Sequence, residues 1–209
     1  MVGRILETDA CIAEGAAHLA AAHPRFAYAL AQTGPLPLRR QAGGFTALLD
    51  AIVGQQVSVA AGDAIWRRME AAGLTTTHGI LAATVEELRA VGLSRQKASY
   101  AHALAGAGID YGALETAPTD EVIKTLTAVK GIGVWTAEIY AMFALGRADA
   151  FAAGDLALQE SARVLFELDA RPNDRALRAL AENWAPWRGV AARLLWSYYH
   201  IIKSRDGIR

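Results

Sequence analysis

The sequence predicts an all-α protein. Alanine and leucine dominate its 209 residues, and the alternation of β-branched with polar residues that marks a half-buried strand is almost absent. Apolar residues recur instead at helical spacing, between recognisable start and stop signals. Hydrophobic residues make up 53% of the chain, enough for a sizeable core in one domain or in two small lobes.

Helical periodicity begins near Glu7 and runs to His23, where Pro24 opens a second, short helix ending before Gly34. GPLPLRRQAGG is the clearest linker, since its two prolines and glycine pair cannot continue a helix. Phe45 to Val53 reads as an apolar helix; Gln55-Gln56-Val57-Ser58 interrupts it, and Val59 to Met69 continues. Thr84 with Glu87 forms a capping box, and Ser94 caps LSRQKASYAHALAGAG. Asp120 and Glu121, after Thr119, suit the positive end of a helix dipole, and that helix runs to about Val129. A GIG turn then leads into VWTAEIYAMFAL, and a loop through Asp149 leads to a helix from about Asp155 to Leu168. Asn173 or Asp174 starts another, to Trp184, and Pro186 precedes the last, WRGVAARLLWSYYHIIK. About ten helices result, without an internal repeat.

Cys11 is the only cysteine, which excludes an internal disulfide framework, a four-cysteine iron–sulfur cluster and a Cys-rich zinc site; it reads as a small, partly buried residue. The opening MVGRILETDACIAEGAAHLA carries acids and lacks the long apolar stretch of a signal peptide. No apolar run reaches the roughly 18 residues needed to span a bilayer, so a cytoplasmic protein with no membrane contact is the expectation. Lys plus Arg equals Asp plus Glu at 21 each, which gives no global basic signal for nucleic acid. The local basic sites are Arg39 and Arg40, the Arg89/Arg95/Lys97 group, Lys130, and Arg188, Arg193, Lys203, Arg205 and Arg209 toward the C-terminus, which by themselves read as solvated surface more readily than as a DNA footprint.

A helix, the turn Val-Lys-Gly-Ile-Gly and a second helix make a helix-hairpin-helix. Gly131 and Gly133 permit dihedrals closed to other residues, and Ile132 between them can plug the groove between the helices. Bare amides at the start of the second helix suit a phosphate, which makes Lys130, Gly131, Gly133 and Val134 the candidate phosphate-binding set. Backbone amides grip phosphates without reading sequence, so a neutral chain can still bind DNA. A turn that merely joins two packed helices remains open at this point.

LTAVKGIGVWTAEIYAMFAL, with Asp155 beyond it, resembles the helix-hairpin-helix (HhH-GPD) DNA glycosylases, whose motif joins the hairpin to a Gly/Pro-rich loop and an aspartate. GFTALLDAIVGQQVSVAAGDAIWRRM, GLSRQKASYAHALA and WAPWRGVAARLLW are similar to segments of the alkylation-repair branch, the 3-methyladenine DNA glycosylase II type. The resemblance covers about residues 40 to 203 and is to compact members without an N-terminal β-rich domain.

It implies two helical lobes with a central cleft, a continuous lobe over residues 43–155 and a second from 1–42 and 156–209, with Asp155 at the junction. It implies that Asp155 is the catalytic aspartate, although the residue also reads as the N-cap of the helix that follows. Trp135 stands where strand-nicking members carry a Schiff-base lysine, so a monofunctional enzyme is expected. Trp135 and Trp196, with Tyr140 and Tyr199 behind them, are the implied base-pocket aromatics, and Ile139 and Leu156 replace pocket tyrosines. Each aromatic also suits ordinary core packing.

In GQQVS, Gln56, with Gln55 beside it, takes the place of the intercalating wedge; the pair also reads as a polar helix end. The carbonyls of Thr127, Val129 and Ile132 resemble a structural Na+ or K+ site, and no catalytic cofactor is implied. The expected partner is double-stranded DNA with damaged bases, bound by a monomer. Rival readings are a glycosylase of the same fold for other bases, a non-catalytic hairpin module, and a helical protein-interaction domain.

Overall fold

A computed structural model describes residues 2–205. Among them are thirteen α-helices: α1 Asp9–Ala22, α2 Pro24–Thr33, α3 Phe45–Gly54, α4 Val59–Ala71, α5 Thr77–Ala82, α6 Val85–Ala90, α7 Arg95–Gly106, α8 Tyr111–Thr116, α9 Thr119–Thr127, α10 Val134–Phe143, α11 Leu156–Leu165, α12 Asp174–Ala181 and α13 Arg188–Arg205. The described residues include no strand, only one isolated antiparallel bridge from Ile5 to Arg147. The all-α expectation holds.

Local chemistry sets most helix starts. Side-chain oxygens of Thr8, Ser58, Ser94 and Asn173 accept the orphan amides of Cys11, Ala61, Lys97 and Ala176, and Thr84 with Glu87 completes the capping box read from the sequence. The sequence reading missed α5 and α8. Each has 6 residues and buries one apolar side chain inward, Ile80 or Leu114, too few to leave a periodic signal.

The chain divides into two compact units. The inner unit, Gln41–Tyr140, is cored by Leu48, Leu49, Ile52, Met69, Ile80, Leu88, Ala98 and Leu126. In the terminal unit, formed by residues up to Arg40 and from Ala141 onward, α1, α2 and α11 pack on α13. Phe26, Phe151, Phe166 and Trp184 form an edge-and-face aromatic cluster there.

Residues 141–155 fall in the terminal unit, not in the continuous lobe to which they were assigned. Their packing is the reason. Ala148, Ala150, Phe151, Ala152 and Ala153 are buried, Leu6 N–H donates to the Gly146 carbonyl, and Ala148 N–H donates to Arg4. The boundary drawn at Asp155 followed a chemical cue and overlooked this apolar run. Of the expected C-terminal basic residues, Arg209 lies outside the described residues.

Candidate active site

Asp155 ends the loop after α10 and caps α11. Its Oδ1 accepts from the backbone N–H of Ala157 at 2.9 Å and of Leu158 at 3.1 Å, and from Trp196 Nε1 at 3.2 Å. Trp196 projects from α13 and packs on Phe143, with ring centroids 5.7 Å apart and planes tilted by 32°. Trp196, one of the predicted pocket aromatics, is thus tied to the aspartate by its indole. The helix amides supply positive potential to the carboxylate, and three donors fix its rotation. The geometry that caps α11 therefore does not conflict with a catalytic use of the same carboxylate. A half-buried carboxylate held in this way can oppose a developing positive charge without reorganising.

Helix α13 also holds the loop that delivers Asp155. Gly189 N–H donates to the Ala148 carbonyl at 2.7 Å, and a Cβ at Gly189 would lie 2.8 Å from that oxygen, so only glycine permits the approach. Arg188 clasps Asp149 through one guanidinium edge, with Nε on Oδ1 at 2.8 Å and Nη2 on Oδ2. Arg193, read from the sequence as surface charge, is 2% exposed; its guanidinium donates to the carbonyls of Leu38, Gly189 and Met142 and lies 4.7 Å from the Phe143 ring centroid. Burial, followed by Arg39 and Arg40, pushes its pKa down to about 10, which leaves it cationic at neutral pH. Arg193 is thus not solvated surface charge, and the part-buried Arg188 is paired with Asp149. Sequence reasoning missed both anchors, because their acceptors are distant in the chain.

The inner unit holds the hairpin. Ile132 is 4% exposed and plugs the turn as expected, with its N–H on the Val129 carbonyl at 3.1 Å. Gly131 has φ +100, and a Cβ there would lie 2.3 Å from Tyr100 Cγ. Gly133 differs from expectation: its backbone lies outside the left-handed region, and a Cβ on it would meet nothing within 4 Å. Its lack of a side chain clears space instead of permitting a dihedral. Lys130, Gly133, Val134 and Trp135 are exposed around this opening.

The Thr127 hydroxyl is turned onto the Ile123 carbonyl at 2.8 Å, which leaves only neutral backbone oxygens at Thr127, Val129 and Ile132. Such donors fit a hard monovalent cation better than a transition metal. The described residues contain no cluster of three or more His, Cys, Asp or Glu able to hold a metal.

Gln55 and Gln56 part ways. Gln56 is exposed at φ +56, whereas Gln55 Nε2 donates to the Gly131 carbonyl at 2.9 Å. Gln55 is thus occupied within the protein, which argues against a wedge role for it. Tyr140, predicted as a pocket residue, is 5% exposed and accepts the Gly44 N–H at 2.8 Å on its hydroxyl; burial raises its pKa above the usual phenol range. It anchors the start of α3 in the core. Tyr199 is half-buried on α13, with Lys203 Nζ 5.5 Å from its ring centroid.

The HhH-GPD superfamily model, that of base excision DNA repair proteins, matches residues 49–186. The chain belongs to this superfamily. HhH-GPD relatives include the alkylbase DNA glycosidase-like protein mag2 of Schizosaccharomyces pombe, 27% identical and covering 86% of this chain and 90% of that protein. A DNA-3-methyladenine glycosidase structure from Bacillus halodurans matches with TM-score 0.80 at 32% identity, covering 88% of each chain. The S. pombe 3-methyladenine DNA glycosylase Mag1, solved with abasic DNA, matches with TM-score 0.77 at 28% identity over 88% of this chain and 95% of that one. The fold is that of the HhH-GPD DNA glycosylases, and no helix among the described residues is long and apolar enough to cross a membrane.

Proposed function

We propose that this HhH-GPD protein is a monofunctional DNA glycosylase that hydrolyses the N-glycosidic bond of N-alkylated purines in double-stranded DNA and leaves an abasic site. The observation that carries the reading is the Asp155 carboxylate, held by two helix amides and the Trp196 indole.

The bond between C1′ and the base nitrogen breaks with its electron pair leaving on the base. Positive charge grows on the sugar, and a fixed anion lowers the energy of that state. Water then adds to C1′ and loses a proton, for which a carboxylate is a suitable acceptor. An N-alkylated purine such as 3-methyladenine or 7-methylguanine is already cationic, so it leaves as a neutral molecule. Its charge also favours electron-rich faces, and Trp196, beside Asp155, offers one once the base is out of the stack. The exposed Trp135 is the second candidate face.

The hairpin amides at Gly133 and Val134, with Lys130, would hold a phosphate, and Gln56 would fill the gap left by the flipped base. A Na+ or K+ on the carbonyls of Thr127, Val129 and Ile132 would be structural. Trp135, standing where a Schiff-base lysine would be needed, supports base removal without strand cleavage. Relatives named for 3-methyladenine support the substrate class.

The decisive experiment incubates the purified protein with methylated duplex DNA and identifies released bases by chromatography. Methylated purines should appear with the wild type and not with Asp155→Asn. Release by both at similar rates, or by neither, overturns the reading. Borohydride trapping of a protein–DNA adduct would overturn the monofunctional assignment alone.

A further inference from the structure

The turn between α3 and α4 is held more firmly than an exposed loop requires. Gln56 sits at φ +56, a region that a residue with a side chain enters at a cost and keeps only where its surroundings over-determine it. Three anchors do so. Upstream, Lys97, only 9% exposed, reaches from α7 and donates through Nζ to the Val53 carbonyl in the last turn of α3 at 2.6 Å. Downstream, the Ser58 hydroxyl caps α4 by accepting the Ala61 N–H at 3.3 Å. Between them, Gln55 Nε2 donates to the Gly131 carbonyl of the hairpin at 2.9 Å. Gly131 in turn lies against Tyr100 with no room for even a Cβ.

We propose that Gln55 is a positioning residue whose side-chain amide latches the α3–α4 turn to the hairpin, so that gripping a phosphate and presenting Gln56 to the duplex become one rigid event. This rests on the reading above, in which the hairpin binds phosphate and Gln56 fills the vacated position. Lys97 serves the same end by fixing where α3 stops. With the latch intact, the turn that carries Gln56 is ordered before DNA arrives, and the cost of ordering it is met during folding instead of during base flipping. Without the latch, the hairpin still binds phosphate, but Gln56 must be ordered in each encounter. Loss therefore falls on flipping and not on binding.

Gln55→Met keeps the length and neutrality of the side chain and removes the donor. Its single-turnover base release from methylated duplex should fall about tenfold, the effect of one ordinary hydrogen bond, while its Kd for undamaged duplex changes less than about twofold. 2-Aminopurine beside the lesion should report correspondingly less unstacking. The undamaged-duplex Kd doubles as a check that the variant is folded. In a Gln56→Gly background, which relieves the backbone strain and removes the side chain to be presented, Gln55→Met should have no further effect.

Wild-type release by Gln55→Met, an equal loss in undamaged-duplex binding, or the same tenfold fall in the Gln56→Gly background would each overturn the latch and leave the glycosylase reading standing. A wild-type protein that releases no base overturns that reading and the latch with it.

Discussion

The indole Nε1 of Trp196 donates to Asp155 Oδ1 at 3.2 Å, on the same oxygen that accepts two amides of α11. A helix end could hold the carboxylate without it. The third donor comes from another helix, so the carboxylate is indexed to α13 as well as to α11. Trp196→Phe keeps an aromatic ring beside Phe143 and removes the indole donor. Single-turnover base release should fall about tenfold, as for one hydrogen bond to a charged group at the weaker end of its range, with Kd for undamaged duplex unchanged. An unaltered rate would show that the indole is packing alone.

The cap that Asp155 forms and the catalytic role proposed for it can be separated by substitution. Asparagine caps a helix about as well as aspartate, so Asp155→Asn should keep its Tm within about 2 °C of wild type while base release falls at least about 100-fold. Asp155→Ala loses the cap too. That costs about 1 kcal/mol and should lower Tm by about 2–4 °C at this chain length. Thermal unfolding and single-turnover assays on the same preparations read both effects.

The two hairpin glycines should respond oppositely to the same change. Gly131→Ala puts a Cβ 2.3 Å from Tyr100 Cγ on a backbone at φ +100, and should destabilise the protein by about 1–3 kcal/mol. Gly133→Ala meets no atom within 4 Å, so its Tm should stay at the wild-type value. Its new methyl would occupy the phosphate's approach to the amides, and Kd for duplex DNA should rise about tenfold in fluorescence anisotropy. Weakened folding in Gly133→Ala, or undiminished DNA binding, would remove Gly133 from the interface.

What could be read from the sequence was local. Caps at Thr84, Ser94 and Asn173 and the burial of Ile132 depend on neighbours within a turn or two, and the structure has them as expected. The cap at Asp155 was local too, whereas its reading as the catalytic aspartate came from the resemblance to the HhH-GPD family and not from any local signal. The misread residues depend on partners distant in sequence. Arg193 looked like surface charge, but the carbonyl of Leu38 draws it into the core; Gln55 looked like half of a wedge, but its acceptor is Gly131. Tyr140 looked like a pocket residue for the same reason: nothing near it in sequence announces Gly44. Gly133 shows the other limit, since a glycine required for open space and one required for a backbone angle are written with the same letter.

Cys11 offers a pH-dependent test on a different face of the terminal unit's chemistry. The Thr8 hydroxyl, 3.4 Å from Sγ, is the largest cause lowering its pKa to about 7, helped by the backbone near Glu7 and Thr8 against a smaller effect of burial. The same Thr8 oxygen accepts the Cys11 N–H, which leaves its proton to donate to sulfur. The lowered pKa means that the thiolate, the reactive species, is already half-populated at about pH 7, where an ordinary cysteine is almost wholly protonated. Alkylation by iodoacetamide should therefore rise through a midpoint near 7. Because Cys11 is the only cysteine, mass spectrometry of the intact chain reads the rate directly. Thr8→Val removes the donor and should move the midpoint upward, toward the usual cysteine range of about 8.5. It also deletes the cap of α1, so Thr8→Ser, which keeps both functions, is the control and should retain the low midpoint. A wild-type midpoint already near the ordinary value would show that the Thr8 hydroxyl does not stabilise the thiolate.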